Sequence, residues 1–336
     1  MKRLLFTLGG LGLAGWGISR LLRGNFSFTG KSVLITGGSR GLGLAIARQL
    51  AMEGARVALL ARDEKELERA CDELRGIGGE AFAVPCDLLD RGQSLGAIET
   101  VIDRFGSLDV LINNAGVIEV GPLENMQRHD FEKSIQLHLW APFNLIRQVI
   151  PQMRRAGGGR IVNISSIGGK VAVPHMAPYS MSKFALVGLS DAFRNELARD
   201  RIRVTTVMPG LMETGSQVHA KFKGNHGAEY TWFSLSSALP FASVDADRAA
   251  QKIVEACRHG QASLIIGFPA RVAIIGNALF PSLTGEVMKL LSRVLPGATG
   301  VEGDESKSGF EARTEKQVPG WLARIGSGPM ARNNEA

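Results

Sequence analysis

The chain has 336 residues, 45% of them hydrophobic, with 39 basic and 32 acidic side chains and a formal net charge of +7. This is enough for one large α/β domain with additions at its termini, and no repeat of solenoid length is present. The three cysteines lack C-x-x-C spacing, and the six histidines form no H-x-x-x-H pair on a predicted helix. We therefore predict no metal site and a reducing compartment.

The first 25 residues, 1–25, form a hydrophobic N-terminal segment. Its apolar run, 4–18, is flanked by basic side chains, and residues 1–31 hold five basic and no acidic side chains. The run is shorter than the roughly twenty residues that span a bilayer, and no A-x-A cleavage site follows it. We predict an uncleaved membrane anchor with a cytoplasmic catalytic domain; a signal peptide and a buried helix of a soluble cytoplasmic protein are the alternatives. Since the basic excess lies beside an apolar run, we expect no nucleic-acid binding.

Beyond this segment, short apolar and β-branched runs alternate with segments of helical spacing. Strands are predicted at 32–37, 56–61, 80–84, 108–112, 159–164, 202–208 and 263–267, with helices between them. The alternation predicts an α/β protein with a Rossmann-type, doubly wound parallel sheet of about seven strands between two helical layers.

A glycine-rich turn, T-G-G-S-R-G-L-G over residues 36–43, follows the first predicted strand and precedes a helical pattern. Strand, glycine turn and helix in this order predict a dinucleotide site. Gly37 can take the tight turn, Gly41 lets the backbone approach a pyrophosphate, and Gly43 lets the helix pack closely on the strand. A turn without a ligand is the alternative. A second G-x-G-x-x-G, over 10–15, follows no predicted strand and is rejected.

A candidate proton-transfer site lies farther along the chain. Tyr179 follows Ser166 by thirteen residues, and Lys183 follows Tyr179 by four. Side chains at i and i+4 share one helical face, and a lysine ammonium beside a phenol lowers the pKa of the phenol toward neutrality. Tyr179 is therefore a candidate acid or base. A surface helix that carries Y-x-x-x-K by chance is the alternative, and the glycine turn upstream disfavours it.

These motifs, with Asn113-Asn114-Ala115-Gly116 and Pro209-Gly210 before Thr214, resemble the classical short-chain dehydrogenase/reductase family over residues 30–267. The resemblance implies a nicotinamide-dependent oxidoreductase in which Ser166 and Tyr179 bind a substrate carbonyl and Tyr179 transfers the proton. Lys183 would stabilise the phenolate and orient the cofactor ribose. The implied cofactor-binding residues are Gly37, Ser39, Arg40, Gly41, Leu42, Gly43, Arg62, Asp87, Leu88, Asn114, Ala115, Gly116, Tyr179, Lys183, Pro209, Gly210 and Thr214.

The end of the second predicted strand indicates which cofactor is used. Ala61 stands where NAD-using relatives carry an acid for the ribose 2′-hydroxyl, and Arg62 follows it. Arg62 and Arg40 offer guanidinium groups suited to a 2′-phosphate, so we predict NADP(H) in preference to NAD(H). Two solvated arginines are the alternative. Asp87 resembles the residue that accepts from the adenine amino group, although a helix N-terminal acid explains it equally well.

His138 departs from the family pattern, because relatives have a catalytic asparagine at this position, thirteen residues before Pro151. The asparagine helps to keep a helix kink whose carbonyl binds a water in the proton path. Histidine can itself carry a proton near neutrality, so His138 is a candidate catalytic residue, with simple packing as the alternative. The departure also motivates a second functional hypothesis, a catalytically weak scaffold or sensor that binds the cofactor.

The resemblance implies that residues 171–176 and 211–241 form the substrate cleft and its lid. Their apolar side chains indicate a lipophilic alcohol or ketone as substrate; ordinary lid packing is the alternative. The second segment contributes Met212, Phe222, Trp232, Phe233 and Phe241. Residues 271–298 contain an apolar stretch and an amphipathic helix that could lie on a membrane, cover the substrate mouth or pack in a homo-oligomer, with intramolecular packing as the alternative. Residues 299–336 are predicted to be disordered. The predicted domains are 1–25, 26–270, 271–298 and 299–336.

Overall fold

The computed structural model of the protein describes residues 26–213, 215–238, 243–315, 330 and 332–335. The predictions for the N-terminal segment, for Thr214 and for Phe241 lie outside these residues.

A seven-stranded parallel sheet forms the centre of the fold. Its strands are β1 (Ser32–Thr36), β2 (Arg56–Ala61), β3 (Glu80–Pro85), β4 (Val110–Asn113), β6 (Gly159–Ile164), β7 (Ile202–Pro209) and β11 (Ser263–Ile266). The spatial order is β3-β2-β1-β4-β6-β7-β11, so the direction of winding reverses between β1 and β4. All seven predicted strands are present, each bound shifted by at most two residues, and the predicted fold class is confirmed.

Two helical layers cover the sheet. The helices are α1 (Gly41–Met52), α2 (Glu64–Gly76), α3 (Arg91–Phe105), α4 (Arg128–Ile135), α5 (Ala141–Arg155), α6 (Ala177–Leu197) and α8 (Ala246–Arg258). One buried cluster joins the sheet to α1, α2 and α8, and a second joins it to α3 and α5. Every residue of β1 and β4 is buried, as expected for parallel strands covered on both faces.

Aspartates at helix starts fix several of the turns that leave the sheet. Asp63 accepts a hydrogen bond from the Glu66 backbone N–H, and Asp90 accepts from those of Gly92 and Gln93. These caps satisfy backbone donors that a helix leaves unpaired at its N-terminus. They hold α2 and α3 at the carboxyl edge of the sheet.

A small lobe covers one end of the domain. It contains a three-stranded sheet of β5 (Glu119–Val120), β9 (Lys221–Phe222) and β12 (Lys307–Ser308), a pair of β8 (Leu211–Glu213) and β10 (Ser243–Asp245), and the helices α7 (His226–Ala238) and α11 (Gly309–Ala312). Phe222 is fully buried in its core, so Phe222 does not line the cleft as predicted. The ring packs there against Tyr230 and Phe233.

The prediction that disorder begins at residue 299 is wrong for residues 299–315. Ser308 and Lys307 pair antiparallel with β9. The buried side chain of Asn125 donates to the Thr299 carbonyl and to Asp304, both at 2.9 Å. The open edge of β9 and a buried amide thus supply partners that the composition of this segment does not reveal.

Two further helices, α9 (Phe268–Leu279) and α10 (Pro281–Ser292), form a hairpin joined at Phe280. Ala270 is the buried residue of α9, and α10 has none. The intramolecular burial of an amphipathic face is therefore not observed for this hairpin. Within the described residues, no helix combines the length and apolarity required to cross a membrane.

Candidate active site

The glycine turn between β1 and α1 lies at the carboxyl edge of the sheet. Gly37 and Gly41 have φ values of +63° and +57°, in the region that side chains disfavour. A Cβ added at Gly43 would lie 2.0 Å from the Gly37 carbonyl oxygen. The turn therefore requires glycine at these positions, and the absence of a side chain at Gly41 permits a close backbone contact at the start of α1.

Asn114, directly after β4, fastens this turn to the neighbouring strand. Its side-chain amide donates to the carbonyls of Thr36 and Gly37, both at 3.0 Å. The Thr36 hydroxyl oxygen accepts from the backbone N–H groups of Asn114 and Ala115, at 2.9 and 3.0 Å. The glycine turn and the Asn-Ala-Gly segment thus form one rigid corner, with Gly116 beside Lys183.

Ser166, Tyr179 and Lys183 are brought together where β6 ends beside α6. The Lys183 ammonium donates to the carbonyl of Ile164, the last residue of β6, at 3.0 Å. It lies 5.6 Å from the centroid of the Tyr179 ring. Tyr179 and Ser166 both border Gly168, where an added Cβ would lie 3.1 Å from the Tyr179 ring and 3.5 Å from the Ser166 hydroxyl oxygen. One phenol, one hydroxyl and one ammonium therefore converge at a single edge of the sheet.

The pKa values at this edge differ from the sequence-based expectation. Burial raises the pKa of Tyr179, and the nearby Ser166 hydroxyl only partly opposes this effect. Burial also lowers the pKa of Lys183 to about 7. The prediction that the lysine lowers the pKa of the phenol toward neutrality is therefore wrong, because burial shifts this pKa upward. Desolvation dominates because both groups are enclosed.

His138 lies in a π-helical turn, Gln136–Trp140, that interrupts the path from α4 to α5. Its Nε2 accepts from the Val117 N–H at 3.0 Å, so Nδ1 carries the ring proton and donates to the Ser182 hydroxyl at 2.7 Å. That hydroxyl donates to the Tyr179 carbonyl at 2.8 Å. Burial, and then the nearby Lys183, lower the pKa of His138 well below its usual value. A neutral ring with both nitrogens engaged favours a positioning role.

The predicted phosphate contacts show a partner that the sequence did not indicate. The Arg40 guanidinium contacts Glu66 at 3.0 Å, and the Ser39 hydroxyl donates to the same carboxylate at 3.0 Å. Glu66 lies in the first turn of α2, which follows the predicted second strand. Arg62 is exposed and forms no ion pair with any described residue. Arg62 thus remains available to an anion, whereas Arg40 is already paired.

The remaining predicted residues lie at the ends of the strands. The Asp87 carboxylate accepts from the Leu89 N–H at 3.0 Å, a local turn contact, and Leu88 is buried. Pro209 ends β7, and the Gly210 N–H donates to the Ile266 carbonyl at 2.9 Å. These positions border the same edge as the glycine turn.

A buried cluster that the sequence analysis missed ties the loop before Tyr179 to α7. His175 has a φ of 62°, and its Nδ1 lies 2.8 Å from a Glu229 carboxylate oxygen. The Trp232 indole donates to the other oxygen of Glu229 at 2.5 Å. Fifty-four residues separate His175 from Glu229, so no local pattern signals the pair. Among the described residues, no group of three or more His, Cys, Asp or Glu side chains is arranged to hold a metal ion.

Comparison with known proteins identifies the class. The family model described as short chain dehydrogenase matches residues 31–223. The ketoacyl reductase HetN of Nostoc sp. is 38% identical over 196 residues, which are 58% of this chain and 68% of that protein. A short-chain dehydrogenase structure from Streptomyces avermitilis is 29% identical, with a TM-score of 0.68, and covers 78% of this chain and 97% of its own.

A metagenomic short-chain oxidoreductase, solved in complex with NADP, is 32% identical to this chain. It has a TM-score of 0.60 and covers 72% of this chain and 98% of its own. The chain belongs to the short-chain dehydrogenase family. It is an oxidoreductase with ketoreductase relatives.

Proposed function

We propose that the protein is an NADP(H)-dependent ketoreductase that interconverts a lipophilic ketone and its alcohol. The convergence of Ser166, Tyr179 and Lys183 at the edge that carries the glycine turn is the observation that supports this proposal most directly. The ketoacyl reductase HetN and the NADP complex of the metagenomic oxidoreductase support the reaction class and the cofactor.

The glycine turn fits a dinucleotide. The positive-φ glycines Gly37 and Gly41 shape the turn for a phosphate at the start of α1, and Gly43 lets α1 pack closely against the Gly37 carbonyl. Gly37, Gly41 and Gly43 would hold the pyrophosphate, and Lys183 the nicotinamide ribose. When bound, the cofactor supplies the hydride.

The residues of the chain supply orientation and a proton. Ser166 and Tyr179 hydroxyls donate to the carbonyl oxygen of the substrate and polarise it. Because burial raises the pKa of Tyr179, the phenol is protonated at neutral pH and can donate to the developing alkoxide. A charged Lys183 stabilises the phenolate that remains. His138 and Ser182 fix the backbone of Tyr179 and thereby position its ring.

Cofactor preference depends chiefly on Arg62. We expect NADPH to bind at least tenfold tighter than NADH, about 1.4 kcal/mol, because a 2′-phosphate can pair with this exposed guanidinium. Arg62→Asp should shrink or reverse the ratio, and Arg62→Lys, the charge-matched control, should retain part of it. Calorimetric titration with both nucleotides measures each Kd. Equal affinity in the unmodified protein would contradict the preference.

The substrate is proposed to be lipophilic, since Val171 and Met176 contribute a buried apolar loop beside Tyr179. We expect the kcat/KM for NADPH-dependent reduction to rise with chain length along a series of aliphatic ketones and ketoacyl thioesters. Loss of NADPH absorbance measures turnover, with Tyr179→Phe as the background. A preference for short, polar ketones would reject the lipophilic assignment.

We also propose that the α9–α10 hairpin docks this site onto a lipid surface. Exposed side chains follow a 4-3-4 spacing: Phe268, Val272, Ile275 and Leu279 on α9, and Leu283, Val287 and Leu290 on α10 with Val294 in the turn that follows it. The hairpin lies beside residues 171–176, the proposed substrate-binding loop, because the Asn277 amide donates to the carbonyl of Lys170, directly before this loop, at 2.9 Å. Exposed stripes of this size suit an interface.

The charges of the hairpin favour an anionic lipid. Residues 268–294 contain Arg271, Lys289 and Arg293 but one acid, Glu286, which leaves a net charge of +2. This complements phosphatidylglycerol headgroups. The predicted N-terminal anchor would act in addition to the hairpin.

Vesicle flotation of a chain that lacks residues 1–24 tests the lipid surface, because the predicted N-terminal anchor would otherwise bind both variants to the vesicles. With phosphatidylcholine–phosphatidylglycerol vesicles, Leu290→Asp should reduce the bound fraction several-fold. Leu123→Asp is the matched control, because Leu123 and Leu290 are 64% and 63% exposed. Equal flotation of the two variants would contradict hairpin docking. A protein that does not float but forms a dimer that Leu290→Asp disrupts would show that the hairpin mediates self-association and does not bind lipid.

A further inference from the structure

A short segment near the end of the chain, Met330 with residues 332–335, lies across the glycine turn; we call it the tail segment. The Gly41 N–H donates to the Asn333 carbonyl at 2.8 Å. The Asn334 amide donates to the Ser39 carbonyl at 2.9 Å. These contacts use the backbone of the same turn that is proposed to hold the pyrophosphate.

Arginine side chains hold the segment from the side. Arg48, on α1, donates to the Asn333 side chain at 3.2 Å and to the Arg332 carbonyl at 2.5 Å. Arg69, on α2, donates to the Asn334 side chain at 3.4 Å. The tail segment is therefore anchored on the two helices that flank the turn, and not by a single contact.

The Glu335 carboxylate lies beside Gly41, next to the Asn333 carbonyl. It is 3% exposed. One of its oxygens lies 3.6 Å from Arg40 Nε and 3.0 Å from His219 Nε2. A Cβ added at Gly41 would lie 2.5 Å from the other oxygen. The carboxylate thus fills the space that the missing side chain of Gly41 leaves open.

We propose that the tail segment is an intramolecular competitor of the cofactor, with Glu335 in the place of a phosphate. This inference rests on the proposed function. A phosphate bound at Gly41 would need the N–H that Asn333 now occupies, and its negative charge would repel the Glu335 carboxylate. Cofactor binding therefore requires release of the segment, and the apparent affinity falls with the fraction of molecules in which the turn is open.

Calorimetric titration of NADPH into the full chain tests the competition. Glu335→Ala and Glu335→Gln should each lower the Kd at least fivefold. Glu302→Gln is the matched control, because Glu302 is exposed and the substitution removes the same charge. We expect its Kd to equal that of the unmodified protein. Equal values in all four proteins would overturn the competition and leave the proposed function intact.

Hydrogen–deuterium exchange of the unmodified protein gives a test without substitution. A peptide covering residues 330–335 should exchange faster when NADPH is added, because the bound cofactor displaces the segment. Slower exchange would show that the segment closes over the cofactor and would overturn the competition. Failure of all the proteins to bind either NADPH or NADH would overturn both the competition and the proposed function.

Discussion

Two apolar helices of twelve residues, α1 and α10, have opposite surroundings. Nine residues of α1 are buried, whereas α10 has no buried residue. Helix α1 packs between the central sheet and α8, and α10 packs mainly against α9. Apolar content therefore does not determine burial: a helix is enclosed when its connection places it on the sheet. We expect the buried region to determine stability and catalysis, and we expect the exposed hairpin to mediate association with a lipid surface.

We expect the largest effect from a substitution in the buried region, at Tyr179. Tyr179→Phe removes the proton donor and should lower kcat/KM by about 10²- to 10⁴-fold while the Kd for the cofactor stays nearly unchanged. The control is Tyr230→Phe, because Tyr230 is buried in the small lobe away from Ser166. Steady-state kinetics with one ketone measures both variants. Substantial activity in Tyr179→Phe would reject the phenol as donor.

A leucine pair tests the contrast in stability directly. Leu50→Ala, on α1, should lower the free energy of unfolding by about 2–5 kcal/mol, because Leu50 is 1% exposed and its removal leaves a cavity. Leu290→Ala, on α10, should change it by less than about 0.5 kcal/mol. Urea unfolding followed by circular dichroism compares the two. Similar losses would show that the hairpin is part of the cooperative core.

A glycine pair should give effects of opposite sign. Gly43→Ala places a methyl group 2.0 Å from a carbonyl oxygen and should destabilise the protein by about 1–3 kcal/mol. Gly285→Ala, in α10, meets no heavy atom within 4 Å and should stabilise by about 0.4–1 kcal/mol. Thermal unfolding measures both shifts. A destabilising Gly285→Ala would indicate close packing on the hairpin face.

A further expected effect concerns the pH dependence of turnover. Burial lowers the pKa of Lys183 to about 7, so its charge is lost as the pH rises through this value. The kcat/KM for reduction should therefore fall above pH 7, by up to about tenfold per pH unit. In Lys183→Arg the charge persists, so a residual activity should lack this fall. A flat profile in the unmodified protein up to pH 9 would contradict the assignment.

The contribution of Lys183 to the free energy of unfolding changes with pH in the opposite direction to kcat/KM. The unfolded chain keeps the ordinary lysine pKa and binds more protons than the folded protein between about pH 7 and 10.5. The contribution of Lys183 to stability therefore rises with pH over this window. Reduction and stability should thus respond in opposite senses, which separates loss of catalytic charge from unfolding.

Much of the fold and part of the candidate site could be predicted from the sequence. The seven strands follow from short apolar runs, and the glycine turn from its position between β1 and α1. Tyr179 and Lys183 share a face because they are four residues apart on α6. Each of these features depends on backbone geometry over a few residues, which local periodicity determines.

The long-range contacts of the site residues and the direction of their pKa shifts depend on the tertiary structure. Enclosure of Tyr179 and Lys183 reverses the expected direction of the tyrosine pKa shift. Glu66 engages Arg40, and Glu335 reaches Gly41 from almost three hundred residues away along the chain. Such contacts join segments that are remote in sequence, and desolvation depends on everything packed around a group. Local sequence patterns predict neither the long-range contacts nor the desolvation, because both arise from close packing of the whole domain.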